Sequence, residues 1–325
     1  MKRMFAALGC AVAVLHGGIG HAAAPAYPAQ TVRIIFPASA GSTGDARTRV
    51  LAERLSARLG QRFIVENRPG AGTTTGTVAV MGAKPDGYTL LATFTPAFPV
   101  GPMLYKGAAY DPLKSFTPIT MFSSGAPFLV VNPAVAAGSL KEFVQLAKER
   151  PGAVTMGHGG IGGANHLPAE LFRRAAGLDI LFVSYKGETP AMADVIGGQI
   201  DGMFAYTALA VPMIQSGKVR ALAVAARERN PSMPKVPTVA ESGYPGFEFH
   251  GVMLLLGPAG MPREIVDLLN RQVREILQEP AVRATYQSSG ADPVSGTPEE
   301  TAALIKKELE TNGGIVSEFG LTLEQ

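Results

Sequence analysis

Met156-Gly157-His158-Gly159-Gly160-Ile161-Gly162-Gly163-Ala164-Asn165-His166 is a glycine-rich turn between a strand-like run, Val154 to Met156, and a helix-like run. Such a turn brings backbone N–H groups to a helix start, where unpaired donors and a partial positive charge favour an anion. Two readings are open. Gly157-x-Gly159-x-x-Gly162, with Asp179 about twenty residues on, has the spacing of a dinucleotide fingerprint. The same loop equally suits a solute receptor.

Features elsewhere decide between them. With 38 glycines in the chain, this spacing arises easily by chance. The preceding strand is short, and the fingerprint falls mid-chain rather than at the first βα turn. The first strand pattern, Thr31 to Phe36, ends in a comparable loop, Pro37-Ala38-Ser39-Ala40-Gly41-Ser42-Thr43-Gly44-Asp45. It leads to a helix whose expected apolar face is Ala46, Val50, Leu51, Leu55 and Leu59. Both loops aim N–H groups beyond the strand ends, where open α/β sheets take ligands. Glycine permits close backbone approach, and Ser39, Ser42 and Thr43 add hydroxyl donors. A carboxylate is the natural guest, although ordinary βα turns share the pattern.

Alternating strand and amphipathic-helix patterns make the fold class α/β, with mostly parallel sheets flanked by helices. A first unit has strands at Thr31 to Phe36, Phe63 to Val65 and Thr89 to Ala92, and ends in a proline-rich stretch, Pro96 to Pro118. A second has strands at Phe128 to Val131, Val154 to Met156, Ile180 to Val183, Ile200 to Phe204 and Val219 to Ala223. Ser139-Leu140-Lys141-Glu142 reads as a capping box. After another proline-rich connection come a strand, Val252 to Leu256, and two or three helices, the last opened by Thr297-Pro298-Glu299-Glu300. Helices with a single nearby strand are expected to pack back on the first unit. This divides the chain into residues 27–122, 123–248 and 249–325, with crossings near 122–126 and 245–251 acting as a hinge.

Residues 1–26 have the layout of a secretory signal: Lys2 and Arg3, an apolar run from Met4 to Leu15, then small residues to Ala26. Cleavage before Tyr27 leaves 299 residues with 27 basic and 26 acidic side chains, and the net charge falls from +3 to +1. The segment before Cys10, Ala7-Leu8-Gly9, fits a lipobox poorly. Loss of Cys10 with the signal leaves no cysteine for disulfides or thiolate sites. No basic stripe points to nucleic acid, and no second apolar run reaches membrane-helix length. The mature protein is expected to be soluble in an exported compartment.

Chemistry is sparse. No Lys-Ser or Lys-Thr follows the glycines as in a phosphate loop, and no G-x-S-x-G elbow occurs. His166 and Glu170, four apart, would share a helix face with His158 nearby, but a histidine at a helix start more often bonds a loop carbonyl than a metal. No cofactor, metal or catalytic group is expected.

Several segments resemble the receptors of tripartite tricarboxylate transporters, the Bug family of periplasmic solute-binding proteins. They are Val65-Glu66-Asn67-Arg68-Pro69-Gly70-Ala71-Gly72, Lys84-Pro85-Asp86-Gly87-Tyr88-Thr89-Leu90, Tyr185-Lys186-Gly187, Ile196-Gly197-Gly198-Gln199, Gly217-Lys218-Val219-Arg220-Ala221-Leu222-Ala223-Val224, Pro234 to Gly243, and Gly257-Pro258-Ala259-Gly260-Met261-Pro262. The resemblance implies a two-domain Venus-flytrap fold of periplasmic-binding-protein type II. It implies a monomer that closes on a small carboxylate and delivers it to membrane permease subunits. A receptor that signals without transport would share the fold.

The resemblance places ligand contacts on Ser39, Ala40, Gly41, Ser42, Thr43 and Asp45 of the first loop. In the second it places them on His158, Gly159, Gly162, Gly163, Ala164 and His166. Phe94, Phe98 and His250 occupy stretches the family uses near the pocket, with Thr93 beside Phe94, although each Phe equally suits the core. The sequence departs from the family pattern at Ala40-Gly41-Ser42, at Glu188-Thr189 and at Ala205. Arg47, in the first helical turn, is expected either to meet a ligand acid or Glu188 across the cleft, or to be an ordinary solvated surface arginine.

Overall fold

The run Val32-Arg33-Ile34-Ile35-Phe36 forms β1 (Val32–Phe36), in which every side chain but Arg33 is buried, as in a strand covered on both faces. In this computed structural model, which describes residues 27–318 apart from 96 and 289, β1 feeds α1 (Thr43–Leu59). The predicted signal segment lies outside the described residues. Ser42 caps α1, and Gly60 closes it in the left-handed region at φ 71°. Its buried face differs from the expected one. Ala46 is exposed, whereas Thr48, Leu51, Ala52 and Leu55 are buried and Arg47 extends that stripe into the first turn. Positions 47, 51 and 55 repeat at four-residue spacing, so α1 carries a cation inward with its leucines.

β2 (Phe63–Asn67), α2 (Thr74–Met81) and β3 (Thr89–Phe94) follow as expected. The proline-rich stretch is more ordered than its composition suggests. It contains α3 (Ala97–Leu104) and the start of a ten-residue strand, β4 (Phe116–Gly125). Pro118 conceals β4 in the sequence. It is tolerated because β4 lies at a sheet edge, with the pairing irregular between Leu255 and Leu256 opposite it.

The chain enters the second sheet through β5 (Phe128–Val131), α4 (Leu140–Glu149), β6 (Val154–His158), α5 (Leu167–Ala175) and β7 (Ile180–Ser184). It continues with α6 (Glu188–Ile196), β8 (Gly202–Ala205), α7 (Thr207–Gln215) and β9 (Arg220–Val224). It returns as β10 (Gly251–Pro258), α8 (Arg263–Ile276), α9 (Pro280–Ser288) and α10 (Pro298–Glu318).

The sheet orders are β2-β1-β3-β10-β4 and β7-β6-β8-β5-β9. Both sheets are mixed, because the strand that follows each passage, β5 or β10, runs antiparallel to both neighbours. As expected, the C-terminal helices pack on the first sheet, α8 against β4 and α1, and α10 against β4 and α3. Thr297 and Glu300 exchange two hydrogen bonds in a full capping box. At α4 only half of one forms, since Glu142 accepts from Gly138 rather than from Ser139.

Candidate functional site

The loops after β1, β2, β6 and β7 meet between the two sheets and enclose a cavity of about 410 Å³. Side chains and backbone bridge the domains around it. Tyr105 Oη donates to Ile161 O at 2.8 Å, Leu209 N–H donates to Thr43 Oγ1 at 3.2 Å, and Thr207 Oγ1 donates to Gly290 O at 3.1 Å. Two glycine contacts seal the rim. A Cβ on Gly160 would sit 3.2 Å from Gly72 Cα, and one on Gly187 would sit 2.6 Å from Ser39 Oγ. These distances define a closed arrangement in which neither glycine has room for a side chain.

Of the residues predicted for the site, Ser42, Thr43, Arg47, Phe94, Gly159, Gly163, Ala164 and Glu188 line the cavity. The structure leaves the others off its wall, each for a physical reason. Ser39 faces Gly187, and Ala40 is exposed. Gly41 donates its N–H to Asp45 Oδ2 at 2.9 Å. Asp45 also binds Asn67 and Arg49, so its carboxylate braces the loop instead of meeting a ligand. Burial works to raise the Asp45 pKa, but the bonds from Arg49, Gly41 and Asn67 prevail and hold it below the usual range. Thr93 is fully buried in β3, Gly162 packs against Leu104, and His250 is exposed and does not line the cavity, although Gly251 beside it does.

His158 and His166 lie beneath the glycine-rich loop and hold it from inside. Their rings are 4.1 Å apart, and their Nδ1 atoms accept from Gly160 N–H at 3.2 Å and Gly162 N–H at 3.1 Å. Gly159 N–H goes to Asn165 Oδ1 and Gly163 N–H to Gly160 O. Four loop donors that sequence reasoning offered to an anion are therefore already satisfied. Glu170 turns to Arg173 at 2.7 Å. Among the described residues no His, Cys, Asp or Glu cluster suits a metal ion. Asp179 stands just before β7, at the opposite end of the parallel β6–β7 pair from the loop, and cannot reach a ribose held there.

Burial lowers the His158 pKa to about 4, and burial and then the neighbouring His158 drive His166 well below its ordinary value. For a base kept neutral by folding, stability is complete above the unfolded pKa. It declines as pH falls, because the unfolded chain takes up the proton first. From pH 7.5 to pH 5, His158 alone should remove about 2 kcal/mol, 1.36 kcal/mol for each pH unit below its unfolded pKa of about 6.5. Urea unfolding at the two pH values checks this. His158→Asn, which keeps an acceptor near Nδ1, should reduce the wild-type difference by about that amount, and an unchanged difference would mean that folding does not exclude the proton.

The charged groups at the cavity are more unusual. Arg47 is only 4% exposed, and its Nε and Nη2 have no hydrogen-bond partner among the described residues. Desolvation lowers its pKa to about 10. Glu188 borders the cavity and is otherwise enclosed, and desolvation raises its carboxyl to about 7 against the bond from Tyr206 N–H, the nearby Thr43 N–H and the charge of Arg47. Aromatic and apolar walls come from Phe94, Tyr105, Ile161, Tyr185 and Met253. The turn Gly70–Thr73 completes one side, with Thr73 held at φ 90°, a conformation unfavourable for a β-branched residue. Sequence reasoning singled out the segments holding Gly70 and Tyr185 without assigning them to the wall. It missed Tyr105, which lies beyond α3, the helix hidden in the proline-rich stretch.

Two α/β domains closed over a cavity lined by loops from both define a solute-binding protein of periplasmic type. The chain belongs to the tripartite tricarboxylate transporter family receptors, whose sequence pattern matches residues 47–321. It is 36% identical to Protein BugT of Bordetella pertussis (strain Tohama I) over all of this chain and 99% of that one. The structure of MatC from Rhodopseudomonas palustris with bound malate aligns at a TM-score of 0.85 and 30% identity, covering 89% of this chain and all of MatC. R. palustris Rpa4515 with adipate aligns at 0.88 and 29%, covering 91% of this chain and all of the other. Among the described residues no helix is long and apolar enough to cross a membrane.

Proposed function

We propose that this chain is an exported receptor that captures a small organic acid in the interdomain cavity and passes it to the permease subunits of a tripartite transporter. The observation that carries the reading is Arg47, a guanidinium on the cavity wall with two buried nitrogens unpartnered. A buried cation without a partner is costly, and an incoming carboxylate supplies what it lacks. A cavity of about 410 Å³ has room for a compact acid, and relatives whose structures hold malate and adipate support that class.

Residues 1–26 direct export to the periplasm, and residues 27–122 with 249–325 close on residues 123–248 about the two crossings. The protein does no bond chemistry: the acid selects the closed state because only there do both domains meet it.

Thermal shift of the ligand-free mature protein tests this, using aliphatic, aromatic and amino-bearing carboxylates together with NAD and NADP. An acid at 100 times its Kd should add about 2.7 kcal/mol of stability. A shift with dinucleotides alone would overturn the reading.

A further inference from the structure

Glu188 is the first residue of α6, on the second domain, and its Oε1 accepts from Tyr206 N–H at 2.6 Å, where Tyr206 is the N-cap of α7. Thr43 N–H, in the first turn of α1 on the other domain, lies close enough to favour the charged form of the same carboxylate. Two helix starts thus converge across the cleft on a carboxylate that belongs to the protein. Thr43 N–H is one of the donors that a βα loop would otherwise offer an acidic ligand. Arg47, one turn further along α1, feels the charge of Glu188, yet makes no ion pair with any acid among the described residues, and its Nε and Nη2 stay unpartnered. The remaining charged residue on the wall, Lys186, is exposed.

We propose that Glu188 is a specificity-determining residue, filling from within the protein the place of one ligand carboxylate so that the cavity accepts an acid with a single carboxylate on an apolar body. This rests on the organic-acid reading above. One carboxylate meets Arg47, and the body meets Phe94, Tyr105, Ile161 and Met253. A second carboxylate would find the converging helix starts occupied and would face a like charge in a site shielded from water. Malate and adipate, held by the two relatives, are both diacids, so the proposal separates this receptor from them.

Calorimetric titration at pH 8, above the value of about 7 to which Glu188 is raised, tests this with acids matched in body: hexanoate with adipate, benzoate with terephthalate, and further aliphatic and aromatic pairs of the same design. In the wild type the monoacid of a binding pair should be at least tenfold tighter than its diacid. Glu188→Gln, neutral and of the same shape, should strengthen the diacid more than the monoacid and so lower the monoacid-to-diacid preference at least tenfold. Glu188→Ala serves as the second variant should Glu188→Gln not fold, and melting curves verify both. A diacid bound as tightly as its monoacid by the wild type, or an unchanged ratio in a folded variant, would overturn the proposal alone. Binding of no acid of either kind would overturn the organic-acid reading and this proposal with it.

Discussion

Arg47→Met should weaken the organic acid at least a hundredfold while raising the melting temperature of the empty protein. A hydrogen bond to a charged group contributes about 1.5 to 3 kcal/mol, and the guanidinium can offer an acid two of them once a small shift of the wall uncovers Nε and Nη2, which are buried in this arrangement. A hundredfold is about 2.7 kcal/mol, so losing both suffices. In the empty protein the same guanidinium is a buried charge with unmade bonds. Methionine, flexible and apolar, fills much of the same space without that desolvation cost.

The sign of the stability change depends on Glu188, which loses a nearby cation. Below about pH 7 its carboxyl is protonated and has little to lose. Melting should therefore be compared at pH 6 and affinity measured by calorimetry at both pH 6 and pH 8. A variant that melts lower and still binds the acid would make Arg47 a packing residue and remove the main support for the receptor's ligand class. The expected pattern, function lost and stability gained, is that of a residue kept for its site.

Ser39→Trp should abolish ligand-induced stabilisation without unfolding either domain. Gly187 approaches so closely that even its own Cβ would lie 2.6 Å from Ser39 Oγ and 3.1 Å from Ser39 Cβ. An indole at position 39 cannot fit that gap, but it reaches solvent once the domains part. Ser39 has an ordinary negative φ, so the substitution adds no backbone strain, unlike any side chain at Gly187, whose φ is 118°.

Without the acid, urea unfolding should change by about 1 kcal/mol or less, as for a surface substitution away from the core. With a saturating acid the wild type should be stabilised and the variant should not, and small-angle scattering should show the variant with the larger radius of gyration. Ser39→Ala is the control. Its Oγ is buried without a partner, so its removal should leave binding intact. Full binding by Ser39→Trp would mean that the acid is held without the Ser39–Gly187 contact.

Most regular elements were legible because their signals are local. β1 is a run of branched apolar residues, α1 opens at Ser42 and closes at Gly60, and Thr297 and Glu300 announce α10 three residues apart. β4 was not, because Pro118 speaks against a strand until its place at a sheet edge is known. Arg47 could have been placed inside, since it lies four and eight residues before Leu51 and Leu55. The glycine-rich loop borders the cavity through Gly159, Gly160 and Gly163, but its free donors were overcounted. Which N–H groups remain free depends on His158, His166 and Asn165 folding under the loop.

The sequence alone therefore determined the α/β class, the resemblance to a carboxylate receptor and the two loops that meet the cavity, through apolar periodicity, caps and turn residues that act over a few positions. Tertiary structure decided what those loops can bind. Only when the domains meet does Thr43 come near the carboxylate that Tyr206 N–H binds, Gly72 lie against Gly160, and Arg47 stay buried with Nε and Nη2 unpartnered. Hydrogen-bond satisfaction and desolvation depend on every neighbour in space, and several of those neighbours are distant along the chain.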